Sequence, residues 1–312
     1  GPGQRVVRKE GGQAPVPMTT GGWRRERVQG HGIALFPEFH GSIAHPLGCA
    51  EVLNPAGRGV EAVTERLRLK PREERRLRGG HVWIYSNEID TAATPLKAFA
   101  PGDEAVLENA QGRPLGRVLV SPQALICARL FSRDPKQGFD EALILERLRA
   151  ALALREACYG AAGCYRLVYG ESDGLSGLVI DRFGPVVVVQ TATAGMDRHL
   201  PLILSALETL LAPRSIVLKQ DSGARSLEGL EETVVVHGQP LDDAVPLEEN
   251  GVRFLAPVLE GQKTGWFYDH RENRARLASL AKGARVLDAF SYVGAWGLTA
   301  LARGADALVA VD

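Results

Sequence analysis

The stretch that most constrains this chain is Leu259 to Asp312, LEGQKTGWFYDHRENRARLASLAKGARVLDAFSYVGAWGLTALARGADALVAVD. A polar and aromatic loop, Gln262 to Asp269, precedes a helix. A short buried strand follows, Arg285-Val286-Leu287-Asp288, then a glycine-bearing turn, a second helix, and a second apolar strand over 307–311 that leads into Asp312. Strands alternating with helices build doubly wound parallel sheets, which bind ligands beyond the carboxyl ends of their strands. The first strand therefore delivers Asp288 to the ligand side. Gly294, in the turn, lets the backbone approach a ligand closely. Asp312 stands eighteen residues beyond Gly294, where an acidic side chain accepts hydrogen bonds from ribose hydroxyls. Such a sheet needs more than two strands, and the first methionine is Met18. The chain therefore reads as part of a longer one.

The turn itself discriminates between cofactors. A dinucleotide fingerprint seats a pyrophosphate on a glycine-rich helix N-terminus. This turn has only Gly294 and Gly297, with bulky Phe290 and Tyr292 where glycines would be needed. S-adenosylmethionine carries no phosphate. Its ammonium group suits a carboxylate such as Asp288, and its sulfonium suits aromatic neighbours. The residues favour S-adenosylmethionine over NAD and leave an α/β fold without cofactor as a third reading.

Upstream, the 312-residue chain has room for two or three domains. Its formal net charge is zero, so any nucleic-acid surface must be local. No window is long and apolar enough for a transmembrane helix, and the N-terminus lacks a signal peptide's apolar core. Cys49, Cys127, Cys158 and Cys164 show no CxxC spacing, which favours a reduced, cytoplasmic protein over a disulfide or zinc scaffold. Residues 1–64, rich in Gly and Pro, read as a leader of low order. His31, His40, His45 and Cys49 there match no zinc pattern and read as scattered loop residues.

From residue 65 the pattern changes. Residues 65–70 alternate charged and apolar side chains as a half-buried strand does. The spacing predicts a helix over 71–78 with Pro71 in its first turn and Gly79-Gly80 closing it. Short strands over 103–107, 115–120 and 126–131, separated by Gly and Pro, predict a small β-barrel. Seven Lys and Arg lie between residues 66 and 78 against two Glu, close to Trp83 and Tyr85. Basic groups neutralise phosphates and aromatic rings stack on bases. Composition alone equally fits a solvated helix beside two core aromatics. A helix is predicted over 138–160, then a turn-rich hairpin around Gly170, Gly174 and Gly177, a buried strand over 186–189, a helix over 199–211, and strands over 215–218 and 252–258. Glu171, Asp173 and Asp181 read as turn-capping carboxylates rather than as acid/base groups.

Four blocks in this order carry a family resemblance: LKPREERRL with HVWIYS (69–77 and 81–86), GESDGLSGLVIDRFG (170–184), QKTGWFYDHRENR (262–274) and VLDAFSYVG (286–294). The chain resembles the class I S-adenosylmethionine-dependent methyltransferases that modify cytosine C5 in 23S rRNA. The resemblance implies a multidomain protein, part α/β and part α+β. Its parts would be a PUA-like RNA-binding barrel (65–135), a central α+β domain (138–248) and the N-terminal part of a Rossmann-like methyltransferase domain (250–312). It implies 23S rRNA as partner, with room for a homodimer, and S-adenosylmethionine as cofactor. The cofactor would be held by Lys263, Thr264, Gly265, Phe267, Asp269, Asp288, Phe290, Ser291, Tyr292, Gly294 and Asp312. RNA would be held by Lys70, Arg72, Arg75, Arg76, Arg78 and Trp83. Val293 stands where the family usually has Thr. The family's Asp-Pro-Pro motif and nucleophilic cysteine have no counterpart here, so no catalytic residue is assigned. The chain by itself is expected to bind the cofactor weakly or not at all and not to methylate; the alternative reading is an RNA-binding module without catalysis.

Overall fold

The structure is a computed structural model and describes residues 4–8, 65–160, 163–242 and 244–312. The four histidine and cysteine positions 31, 40, 45 and 49 lie outside these residues, as does most of the expected leader. Within that leader Gln4–Arg8 forms strand β1, an element its composition did not suggest.

The barrel contains β2 (Arg66–Arg68), β3 (Trp83–Tyr85), β4 (Glu104–Glu108), β5 (Pro114–Val120) and β6 (Ile126–Ser132), hydrogen-bonded in the order β2-β4-β5-β6-β3. β2 runs parallel to β4; the other pairs are antiparallel. Alternate residues such as Leu67, Leu69, Ile84, Leu107 and Val118 fill its core, as period-2 patterning requires. The expected helix over 71–78 is reduced to α1, Arg75–Arg78. Arg72 has φ of +73°, outside the right-handed helical region, so the chain turns before it coils.

The central domain begins with α2 (Glu141–Tyr159), capped by Asp140, whose carboxylate accepts from the Leu143 N–H at 2.9 Å. There follow β7 (Cys164–Tyr169), β8 (Leu178–Phe183), β9 (Val186–Thr191), the short helix α3 (Ala194–Arg198), α4 (Leu200–Leu211), β10 (Ser215–Gln220) and β11 (Thr233–Gly238). The sheet order is β11-β10-β9-β8-β7, with only β9 and β10 parallel. Helices α2 and α4 cover one face, against Ile180, Val187, Val189 and Leu218. The other face, with Phe183, Val186, Val188 and Val217, packs on a hairpin of β12 (Ala244–Glu249) and β13 (Val252–Pro257). β9 is thus apolar at every position over 186–189 because both of its faces are buried. The hairpin spans the boundary expected at 248 to 250, so a break there would cut a paired unit.

Last come α5 (Arg271–Leu280), β14 (Arg285–Ala289), α6 (Ala295–Ala302) and β15 (Ala307–Val311). β14 and β15 are parallel, joined through α6, and β1 adds antiparallel to the other edge of β15. Among the described residues no helix is long and apolar enough to cross a membrane.

Glu104 joins barrel and central domain. Its carboxylate accepts from Arg117 at 2.6 Å and from the Phe139 N–H at 3.2 Å, and faces the His199 ring at 3.8 Å. His199 first, then Arg117 and the Phe139 amide, outweigh burial and hold its carboxyl at about 2. A carboxyl lowered on folding stabilises the native state above its unfolded value and loses that contribution as pH falls through the folded one. Glu104→Gln is therefore expected to lower stability at about pH 6 and to reduce the further loss on acidification to about pH 3, by on the order of 1–2 kcal/mol. Urea midpoints of both proteins at the two pH values measure this.

Candidate cofactor site

Asp288 ends on the carboxyl side of β14. Its Oδ2 accepts from the Gly297 N–H, in the first turn of α6, at 2.9 Å. Gly297 must be glycine for this: a Cβ there would lie 2.4 Å from Leu308 Cδ1 and 3.1 Å from Asp288 Oδ2. Burial, with Asp312 nearby, raises the Asp288 carboxyl above its usual range, partly offset by the Gly297 amide. Asp312 lies beside it at the end of β15, and its Oδ1 accepts from the Tyr292 N–H at 2.7 Å.

The turn between them stores backbone strain. Phe290 and Tyr292 have φ of +59° and +51°, and Lys263, in the facing loop, +51°. Non-glycine residues avoid this left-handed region, and its occurrences concentrate at ligand sites. Gly294, at φ +73°, starts α6, and a Cβ there would meet only Leu298, at 3.7 Å. Phe290 is 94% exposed.

The hydrogen bonding of the turn limits what it can hold. The Ser291 N–H is taken by Val311 O at 3.0 Å, that of Gly294 by Ser291 O at 2.7 Å, and those of Tyr292 and Gly297 by the two aspartates. A pyrophosphate needs several free amides at this place and would meet two carboxylates instead. An ammonium group and a ribose fit them.

The loop over 262–269 supplies the facing wall. The Phe267 ring meets Tyr292 edge-on, centroids 5.8 Å apart, and Lys263 Nζ sits 4.8 Å over Phe267. Tyr292 Oη donates to Gly265 O at 3.3 Å. Gly265, at φ +97°, admits no side chain, because a Cβ would lie 2.7 Å from Pro257 O. Asp269 is exposed, its Oδ2 3.7 Å from His270 Nε2. Thr264 sits elsewhere: it is fully buried, and its hydroxyl donates to Asp181 Oδ2 at 2.5 Å. It anchors the loop instead of facing a ligand.

Asp181 is the residue that the turn-capping reading of its block missed. Fully buried on β8, it also receives Nε and Nη2 of Arg166, each at 2.9 Å. Buried and paired twice over, it ties the loop over 262–269 to the central sheet. Glu171 and Asp173 are likewise structural. Asp173 binds both guanidinium nitrogens of Arg155, and Glu171 accepts from Ser176 and from Trp83 Nε1, the latter at 2.7 Å.

Two separate sequence models match the chain. Residues 67–133 match a PUA-like domain. Residues 224–312 match an S-adenosylmethionine-dependent methyltransferase model. Over those residues the chain is similar to the S-adenosylmethionine-dependent methyltransferases. Similar proteins include ribosomal RNA large subunit methyltransferase I of Alteromonas mediterranea, 36% identical over 248 residues, which are 78% of this chain and 61% of the relative. The protein of that name from Aeromonas salmonicida is 38% identical, covering 78% of this chain and 61% of its own. The chain spans about three fifths of the length of the curated relatives it matches. Among solved structures, one described as a SAM-dependent methyltransferase from Streptococcus mutans superposes with a TM-score of 0.65 at 21% identity. It covers 78% of this chain and 62% of the other. A methyltransferase complexed with SAH gives 0.66 at 21% identity, with the same coverage. At that identity both support the fold alone. The methyltransferase match begins inside the central sheet's last stretch and includes β11 and the whole β12–β13 hairpin, in keeping with the packing of that hairpin.

The basic face of the barrel is partly neutralised. Arg66 and Arg68 pair with Glu108, Arg76 with Glu88 at 2.6 Å, and Arg78 with Glu74 at 3.5 Å. Lys70 Nζ donates to Asn87 O at 2.8 Å. Arg72 and Arg75 are exposed and make no ion pair among the described residues. Trp83 is half-buried, its indole N–H turned to Glu171 in the central domain. The thiols Cys127 and Cys164 are buried and Cys158 is exposed. Burial pushes Cys127 up to about 12, which leaves it unreactive.

Proposed function

We propose that this chain holds S-adenosylmethionine between the loop over 262–269 and the turn over 288–294, and serves an enzyme that methylates large-subunit ribosomal RNA. The observation that carries the cofactor is the pair of carboxylates at adjacent strand ends, Asp288 and Asp312, above a turn in which the amides of Ser291, Tyr292, Gly294 and Gly297 are already used. In this reading Asp288 meets the cofactor's ammonium, Asp312 its ribose, and Phe267, Phe290 and Tyr292 supply aromatic surface near the sulfonium. The cofactor, when bound, supplies an electrophilic methyl group. Ser291 and Gly294 shape the turn, and Lys263 and Gly265 complete the facing wall, while Asp269 ends the loop on the side of Arg166 and Tyr169.

The RNA is assigned from the PUA-like barrel and from the names of the relatives. Cytosine C5 in 23S rRNA as the methyl acceptor rests on the four sequence blocks alone. On the barrel, Arg72 and Arg75 are the cations free to contact phosphates, with Lys70, Arg76 and Arg78 beside them. Trp83 is better placed to join barrel and central domain than to stack on a base.

Replacing Arg72 and Arg75 together by alanine is expected to weaken binding of a 23S rRNA transcript by several-fold at moderate salt. The slope of log affinity against log salt should fall by about 1.5–2. Filter binding across a salt series reads both quantities. Unchanged affinity and slope would remove these arginines from the interface, and a wild-type chain that fails to bind the transcript would contradict the RNA reading.

A further inference from the structure

A second concave site lies on the other side of the loop that faces the cofactor turn. Tyr159, at the end of α2, and Tyr169, at the end of β7, stand on its walls, 42% and 57% exposed. Arg166 and Arg271 line it between them. The Arg271 guanidinium lies 4.5 Å over the Tyr159 ring and 5.6 Å from the Tyr268 ring, and that of Arg166 lies 5.5 Å over Tyr169. These stacks hold the exposed rings in fixed orientations. Arg166 is neutralised by the buried Asp181, while Arg271, 3.4 Å from Glu249, shares that buried carboxylate with Arg274, and Asp269 in the cleft lining adds a further negative charge. Arg155 in the same cleft is paired with Asp173. The site is therefore aromatic and flat, with little free positive charge. It suits a planar, uncharged ring more than a phosphate.

Two features narrow the occupant. The Tyr165 and Tyr268 hydroxyls are used within the protein, on Arg182. Those of Tyr159 and Tyr169 have no partner among the described residues. Asp269 stands at the rim, exposed, with acceptor capacity beyond its loose pairing to His270. Two positions before it, Phe267 touches Tyr292 in the cofactor turn. One loop thus borders both sites.

We propose that this cleft seats one unpaired nucleobase of the RNA strand, stacked on Tyr169 and bordered by Tyr159, whose ring already stacks on Tyr165 and Arg271, with a preference for bases that offer Asp269 an exocyclic amino group. Stacking on aromatic rings is how proteins hold unpaired bases, and an amino group is what an acidic acceptor distinguishes. The inference rests on the RNA reading above and adds the place where a base leaves its strand.

The test uses the full chain and two fluorescein-labelled single-stranded oligoribonucleotides of equal length, oligo-C and oligo-U, read by fluorescence anisotropy. Tyr169→Ala is expected to weaken oligo-C binding by about tenfold, the range found for loss of one stacked base, while Tyr169→Phe stays within about twofold. Tyr159→Ala, on the opposite wall, should weaken it as well. It guards against a fault peculiar to position 169. Asp269→Ala should erase the preference for oligo-C over oligo-U. Tight wild-type binding that neither tyrosine-to-alanine variant changes would overturn the cleft and leave the RNA reading standing. A Tyr169→Phe variant as weak as Tyr169→Ala would overturn stacking. Equal wild-type affinity for the two oligonucleotides would overturn the role of Asp269. Failure of the wild type to bind either strand, or the rRNA transcript, would overturn the RNA reading itself.

Discussion

Asp181→Ala is expected to destabilise the protein by about 3 kcal/mol. Asp181 is fully buried and answers three donors: two nitrogens of Arg166 and the Thr264 hydroxyl. Removing the carboxylate leaves a guanidinium, about a quarter exposed, and a buried hydroxyl without their acceptor. An uncompensated charge costs more than the pair gained on forming, which places the loss at the lower end of the range for buried pairs. Thr264→Val removes one neutral donor and should cost about 1 kcal/mol. The double variant should lose less than the two losses combined, because both act on one hydrogen bond. Urea denaturation of the four proteins checks each value. An Asp181→Ala loss below about 1 kcal/mol would show that the loop does not depend on this anchor.

The second large effect concerns the cofactor. Asp288→Asn is expected to weaken S-adenosylhomocysteine binding by about tenfold or more, the worth of one charge-assisted hydrogen bond. Asparagine can still accept from the Gly297 amide, so the variant removes the charge and keeps the cap on α6. Asp288→Ala removes both and should bind no better while also losing about 1 kcal/mol of stability. The pH dependence follows from the raised carboxyl. Burial penalises the charged form, so the unliganded protein gains stability as pH falls through the raised value. The ammonium group needs the charged form, so cofactor affinity falls over that same interval, which lies above the ordinary aspartate range. Affinity measured in the Asn variant should be flat across it. An Asn variant that binds like the wild type would reduce Asp288 to a helix cap.

Local patterns made most of the fold legible. The unbroken apolar run over 186–189 announced a buried strand, which the fold covers on both faces. Among the strands that went unread, two have clear causes. β11 is a β-branched run, TVVVHG, but it is an exposed edge, so no alternation marks it. β12 carries Pro246 in its middle, which demotes a run to edge strand or loop, although its alternate residues are buried. The shortening of α1 depended on the backbone of Arg72, which has no sequence signature outside glycine.

At the site, the placement of the two acidic strand ends and of the bulky turn was legible because it follows from position along the chain. The roles of Thr264 and Trp83 were not. Thr264 is committed to a carboxylate 83 residues earlier, and Trp83 to one 88 residues later. A side chain's type does not reveal a partner that only the fold brings near. For the same reason the cleft around Tyr169 left no motif: its tyrosines and arginines come from α2, β7 and the segment around the start of α5.

The claim on which the rest depends is that the turn over 288–294 holds S-adenosylmethionine and not a dinucleotide. Saturation-transfer NMR on the chain, with S-adenosylhomocysteine and NAD offered separately and then together, addresses it and reads weak as well as tight binding. The expected result is transfer to S-adenosylhomocysteine protons, displaced by S-adenosylmethionine, undiminished by NAD, and much reduced in Asp288→Asn. Transfer to NAD that S-adenosylhomocysteine does not displace, or no transfer to S-adenosylhomocysteine at all, would contradict the account.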